Sequence, residues 1–200
     1  MRAIERQKSS HAVWHGWLMM AAIGCLAASE ALASDETSRQ LLSTPGNVIL
    51  MRHASAPGTG DPDGFRLDDC GTQRNLSAAG RAEAAAIGAS LRALGVERAA
   101  VFSSRWCRCL DTARGLGLGQ VTPLPVLDSF FANRAMATER TPALEAWLAA
   151  ADLSEPVVLV THQVNITALA DVVPAQGEWL IARRRGDRWE VIARRPPGGP

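Results

Sequence analysis

Asn47-Val48-Ile49-Leu50-Met51-Arg52-His53-Ala54 is an apolar run that stops at an arginine and a histidine. A short run that is apolar at every position reads as a strand buried on both faces, as in a parallel sheet. A second run, Val157 to Val160, ends in Thr161-His162. Open α/β sheets bind ligands in the crevice at the carboxyl ends of their strands. Two imidazoles at strand ends are therefore expected to face one pocket. Between them a third run, Ala99 to Phe102, leads into Ser103-Ser104-Arg105-Trp106-Cys107-Arg108-Cys109-Leu110-Asp111-Thr112-Ala113, which reads as the opening of a helix. A helix N-terminus with an arginine in its first turn is suited to hold a phosphate.

Outward from these three strands, helix and strand signals alternate. A loop rich in Gly, Pro and Asp runs from Ala54 to Asn75. Ser77 is a helix cap, and Ala84, Ile87, Leu91 and Leu94 recur at near-helical spacing until Gly95. Trp106 to Leu116 is predicted helical, and Val121 to Leu127, broken by two prolines, is an edge strand or extended loop. Thr141, with Pro142 behind it, is expected to begin a helix through Leu148 and Ala151. Another helix is predicted from about Val164 to Val172. Glu178 to Arg184 and Arg188 to Ala193 alternate around Arg185-Gly186-Asp187 and read as a terminal hairpin. No repeat or second-domain boundary is visible. The expected fold is a single-domain, three-layer α/β/α sandwich with a mostly parallel sheet and a C-terminal hairpin.

The first 33 residues are expected to be a signal peptide. Arg2, Arg6 and Lys8 precede an apolar segment from about Trp17 to Ala28, and Ala31-Leu32-Ala33 has the small-x-small pattern of a cleavage site. The apolar stretch falls short of the roughly 20 residues that cross a bilayer, so no stable span is expected in the mature chain. Ala22-Ile23-Gly24-Cys25 loosely matches a lipoprotein site, which leaves a lipid anchor at Cys25 as the minor alternative. Residues 34–46 form a lead-in, 47–195 the domain, and 196–200 an expected disordered tail. The expected location is periplasmic or secreted.

Cleavage removes Arg2, Arg6 and Lys8 from 21 Lys and Arg, and Glu5 and Glu30 from 20 Asp and Glu, leaving 18 of each. A formally neutral domain has no general attraction for nucleic acid or an anionic membrane. Lys8 is the chain's single lysine. Mechanisms built on a P-loop lysine or a pyridoxal Schiff base are thereby excluded. Cys70, Cys107 and Cys109 remain, and a disulfide joining Cys70 to Cys107 or to Cys109 suits an oxidising compartment. A CxC pair with one distant cysteine is a weak zinc pattern, so no metal is expected.

The ordered segments resemble the histidine phosphatase superfamily, the phosphoglycerate-mutase-like fold. Leu50-Met51-Arg52-His53 matches its Arg-His signature, Ser103-Ser104 with Arg108 and Thr112-Ala113 its middle segment, and Val160-Thr161-His162 its second histidine. Leu76-Ser77-Ala78-Ala79-Gly80-Arg81 matches the opening of the intervening helix. The resemblance spans residues 47 to about 170. The secretion signal, the cysteines and the long acidic loop are most similar to the small periplasmic branch.

The resemblance implies a phosphomonoesterase without a cofactor, acting on a small phosphate ester; cell-envelope sugar phosphates are candidates by analogy. Arg52 and Arg108 would grip the phosphoryl oxygens, with Arg105 the alternative for Arg108. His53 would be the nucleophile that forms a phosphohistidine. His162 would donate to the equatorial oxygens, and Asn75 or Gln163 would add a neutral donor. Attack needs His53 neutral and His162 serves best protonated, so a bell-shaped pH profile is expected.

One departure stands out. Relatives carry a glutamate in a Leu-x-Glu stretch that protonates the leaving oxygen, whereas this chain reads Leu127-Asp128-Ser129. Asp128 is the expected donor, with Asp68, Asp69 or Glu139 as loop alternatives. Two other function classes stay open: a phosphate-binding sensor that lost turnover, and a serine hydrolase built from Ser103 or Ser104 with His162 and Asp171. The latter lacks a Gly-x-Ser-x-Gly elbow.

Overall fold

The computed structural model describes residues 35–197. The expected signal peptide with Cys25 lies outside them, as do residues 198–200 of the expected tail. The chain divides into two compact units between Thr37 and Ser38. Residues 35–37 of the first are helical. The second unit carries the sheet and the candidate site.

That unit opens with helical residues 38–42 (α1) and contains a six-stranded sheet. In chain order its elements are β1 (Asn47–Arg52), α2 (Ala78–Ala93), β2 (Ala100–Ser103), α3 (Cys107–Leu116), β3 (Val121–Pro123), α4 (Ala137–Ala150), β4 (Val157–Thr161), α5 (Gln163–Ala170), β5 (Trp179–Arg185) and β6 (Arg188–Arg195). The sheet order is β3-β2-β4-β1-β5-β6. The first four strands are parallel, and β5 and β6 add an antiparallel hairpin beside β1. The predicted α/β/α sandwich with its terminal hairpin is therefore the observed fold.

Both faces of the sheet are buried, which explains why its central strands carry no alternation of polar residues. Ile49, Met51, Val158, Val160, Trp179 and Ile181 pack with α2 and α3 in one core. Val48, Leu50, Val157, Leu159, Leu180 and Ala182 pack with α4 and α5 in the other. Successive side chains point to opposite faces, so each strand feeds both cores.

Local signals set most boundaries. Ser77 Oγ accepts the Gly80 N–H at 2.9 Å and starts α2. The edge position of β3 tolerates Pro123, because an edge strand has unpaired ladder positions. The hairpin turns tightly, with Arg185 paired to Arg188 around Gly186-Asp187. Helix α4 departs from expectation: it begins at Ala137, a turn before Thr141, and keeps Pro142 inside. A 3-10 turn over Arg134–Met136 leads into it, and Arg140 Nη1 donates to the Asp128 carbonyl at 3.2 Å. These contacts sustain a start that sequence signals alone place later.

Cys70 and Cys107 form a disulfide with their Cα atoms 5.7 Å apart, and Cys109 is a buried free thiol. Of the two expected pairings, the one nearer the start of α3 is realised. It ties the Ala54–Asn75 loop to the residue beside Arg108. No helix among the described residues is long and apolar enough to cross a membrane.

Candidate active site

Parallel pairing of β1 with β4 sets Arg52 opposite Thr161. The residues that come after each strand are then neighbours: the His53 N–H donates to the Thr161 carbonyl at 3.0 Å. The two imidazole rings lie 5.6 Å apart at an interplanar angle of 68°. Both line a cavity of about 490 Å³ at the carboxyl ends of the strands, together with Arg52, Arg74, Arg108 and Gln163. The loop carrying Gly58 to Phe65 forms another wall.

His53 is 2% exposed. Its Nδ1 lies 2.8 Å from the Ala54 carbonyl, an acceptor only, so Nδ1 carries the proton and Nε2 keeps its lone pair. Burial, reinforced by the charges of Arg108, Arg52 and Arg74, lowers the His53 pKa to about 3. The ring is thus a neutral nitrogen base at ordinary pH. The backbone behind it is closely held. Gly80 of α2 passes so near Ser55 that a Cβ there would sit 2.0 Å from the Ser55 carbonyl oxygen. The Ala54 N–H donates to Thr112 Oγ1 at 3.0 Å, and the Ser55 N–H to Glu83 at 2.7 Å.

His162 is fully enclosed, with Ser104 Oγ 2.9 Å and Cys109 Sγ 3.4 Å from Nε2. Trp106 stacks edge-on against it at 5.4 Å. Burial first, then repulsion by Arg108, holds its pKa well below the ordinary value. The expectation that His162 serves protonated is therefore corrected: a desolvated imidazole beside a guanidinium favours its neutral form. Burial also pushes the Cys109 thiol up to about 12.

The guanidinium groups converge. Arg52 Nη1 donates to the Pro174 carbonyl at 2.9 Å. Arg108 is 3% exposed and meets Asp61 face to face, Nη1 to Oδ1 at 2.7 Å and Nη2 to Oδ2 at 3.1 Å. The Nε atoms of both Arg52 and Arg108 are buried without a hydrogen-bond partner. Buried unpaired donors are rare; Arg183 Nε, on β5 and outside the cavity lining, shares the feature. Arg74 adds a third positive charge, its Nε donating to the Gly60 carbonyl at 2.6 Å and its Nη1 to the Ala56 carbonyl.

Of the other expected residues, Gln163 lines the cavity at the first position of α5. Asn75 does not; its Nδ2 donates to the Cys70 carbonyl at 2.6 Å, and its neighbour Arg74 takes the cavity position instead. Asp128 is not among the lining residues either. It is 1% exposed, and its oxygens accept from the Arg105 N–H at 2.9 Å, Nε at 2.8 Å and Nη2 at 2.5 Å. Its partner Arg105 is likewise absent from the lining, so Arg108 is the arginine the helix start presents to the cavity. Asp68, Asp69 and Glu139 also stay outside it. A serine triad is not assembled: Ser104 meets His162, but Asp171 caps the far end of α5 and no carboxylate orients the ring.

Asp61, Arg74 and Trp106 are among the lining residues that sequence reasoning missed. Asp61 and Arg74 sit in an irregular loop where no periodicity marks an inward side chain, and Trp106 stands at the helix cap among better-known motif positions.

No family model and no curated protein sequence matches the chain. Solved structures do. The protein histidine phosphatase SixA, complexed with tungstate, superposes with a TM-score of 0.54 at 17% identity, covering 76% of this chain and 97% of that one. The α-ribazole phosphatase of Shigella flexneri gives 0.55 at 16%, covering 76% and 96%. A mycobacterial glucosyl-3-phosphoglycerate phosphatase gives 0.53 at 20%, covering 75% and 98%. At such identities the likeness is one of architecture: the chain has the histidine phosphatase fold.

Proposed function

We propose that the protein is a secreted phosphomonoesterase that works through a phosphohistidine on His53. One observation carries this reading: a neutral imidazole with its Nδ1 engaged by Ala54 lines a cavity into which three arginines bring positive charge and a second, neutral imidazole adds an N–H. A phosphate monoester carries nearly two negative charges, and its transfer depends on positioning and on stabilising the equatorial oxygens. Arg52 and Arg108, both lining the cavity, supply planar guanidinium donors for those oxygens. His162 and Gln163 add neutral donors. Nε2 of His53 attacks phosphorus, the ester oxygen departs, and water then releases inorganic phosphate.

The similar folds belong to proteins whose names specify phosphatases, one of them holding tungstate, a tetrahedral oxyanion. The Cys70–Cys107 disulfide supports export to an oxidising compartment such as the periplasm, in line with the N-terminal signal. Within that setting small phosphate esters, including envelope sugar phosphates, are the substrates in reach.

The test is phosphate release from p-nitrophenyl phosphate and a panel of sugar phosphates by wild type and His53→Ala. Release that falls at least a thousandfold in the variant, with an acid-labile phosphoryl label on wild type alone, is the expected result. Binding of phosphate or tungstate without release would instead make the chain an anion sensor.

A further inference from the structure

We infer that Asp61 is the proton donor to the leaving group and the base that activates water in the second step. The inference rests on the phosphohistidine reading above. Asp128 does not line the cavity, and the carboxylates that do are Asp61 and Asp63. Asp63 is exposed. Asp61 instead sits on the anion-binding guanidinium itself, with both oxygens on Arg108, Oδ1 also accepting the Arg74 N–H at 3.1 Å, and Oδ2 accepting the Trp106 indole N–H at 3.0 Å.

Position favours this role. In-line displacement puts the leaving oxygen opposite the nucleophile. His53 is 2% exposed, so a departing group opposite its Nε2 lies on the more open side of the cavity. Asp61 reaches Arg108 from the loop wall and its side chain keeps 10% exposure, so it lies nearer that side.

Electrostatics supplies the proton at the right moment. Burial would raise the Asp61 pKa, but the hydrogen bond and charge of Arg108, with the Arg74 and Trp106 N–H donors, outweigh it and keep the carboxyl below its ordinary range. A phosphoryl dianion gripping Arg108 sets a second anion on the same guanidinium. The added negative charge pushes the Asp61 carboxyl upward from that lowered value, toward the protonated form a donor needs.

In the first step the His53 Nε2–P bond forms and the P–O bond breaks. The electron pair leaves with the ester oxygen, which takes the Asp61 proton and departs as the alcohol. In the second, a water oxygen bonds to phosphorus and its proton goes to the Asp61 carboxylate. The P–N pair returns to Nε2, and phosphate leaves with Asp61 again protonated.

The test compares kcat/KM of Asp61→Asn on an ester with a good leaving group, p-nitrophenyl phosphate, and one with a poor leaving group, glycerol phosphate. The expected loss is under tenfold for the first and at least a hundredfold for the second, within the range general acids contribute. The variant should also show a stoichiometric burst of nitrophenol as its phosphohistidine accumulates. Equal losses on both esters without a burst would reduce Asp61 to an anchor for Arg108, and the substrate-dependent loss appearing in Asp63→Asn would move the role there. Should Asp61→Asn not fold, the wild type decides: a shallow dependence of kcat/KM on leaving-group pKa across aryl and alkyl phosphates supports the donor, and a steep one overturns it. Failure of the underlying reading looks different, since wild type would then show no release that depends on His53.

Discussion

The Ala54 carbonyl oxygen lies 2.8 Å from His53 Nδ1, so the residue after the histidine fixes which ring nitrogen is free to react. Other arms of the site are also held by fixed partners. A loop carboxylate holds Arg108 in the same way, and Ser104 holds His162 Nε2.

The ionisation of the imidazoles can be read in solution. After removal of residues 1–33 the chain holds two histidines, His53 and His162, so a titration followed by imidazole NMR is unambiguous. Both are expected to stay neutral from pH 8 to 5, because burial and the neighbouring arginines lower both pKa values. An ordinary titration near 6.5 at either ring would contradict the electrostatic account.

The same shifts set the pH dependence of folding. The unfolded chain takes up a proton at each imidazole near pH 6.5, whereas folded His53 does so only at about 3. The unfolded state binds more protons in between, so stability is complete above about 6.5 and falls as pH drops toward 3, by about 1.4 kcal/mol per pH unit for each ring. Urea midpoints at pH 7.5 and 5.5 read this in a window above the range where Asp61 and Glu178, both with lowered pKa values, begin to protonate. A midpoint unchanged or higher at 5.5 would count against it.

Cys70→Ser/Cys107→Ser should cost about 3–4 kcal/mol, the loop-closure value for cysteines 37 residues apart. The bridge also fixes the backbone beside Arg108, so KM for a phosphate ester should rise more than kcat falls. Thermal unfolding and steady-state kinetics with and without a reductant measure the two effects; a loss confined to stability would show that Arg108 is placed without the bridge.

Gly80→Ala tests how the nucleophile is held. The added Cβ would sit 2.0 Å from the Ser55 carbonyl oxygen, which forces α2 and the loop after His53 apart. A cost of about 3 kcal/mol or more is expected from such overpacking, with kcat lowered at temperatures where the variant remains folded. Activity equal to wild type in the folded variant would show that the loop is not what aims His53.

Asn47 to Arg52 and Val157 to Thr161 were legible as buried parallel strands because both faces of the sheet are covered, so hydrophobicity is unbroken along them. His53, Arg108, His162 and Gln163 were legible because each sits within a few residues of an element end, where a linear motif fixes geometry. Asn75 and Asp128 were misplaced for the opposite reason: in a loop or an irregular turn, adjacent residues point in unrelated directions. Arg74 enters the cavity where Asn75 turns to the Cys70 carbonyl.

The sequence by itself determined the order of strands and helices, the two-faced burial of the sheet, the absence of lysine chemistry and the two histidines at strand ends, since these depend on local periodicity and composition. Only the tertiary structure decided that Cys107 rather than Cys109 joins Cys70, that Asp128 is bound to Arg105, and that Asp61 lies on Arg108. Those outcomes depend on which side chains meet across long separations in the chain, and contact of that kind is a property of packing that no local pattern encodes.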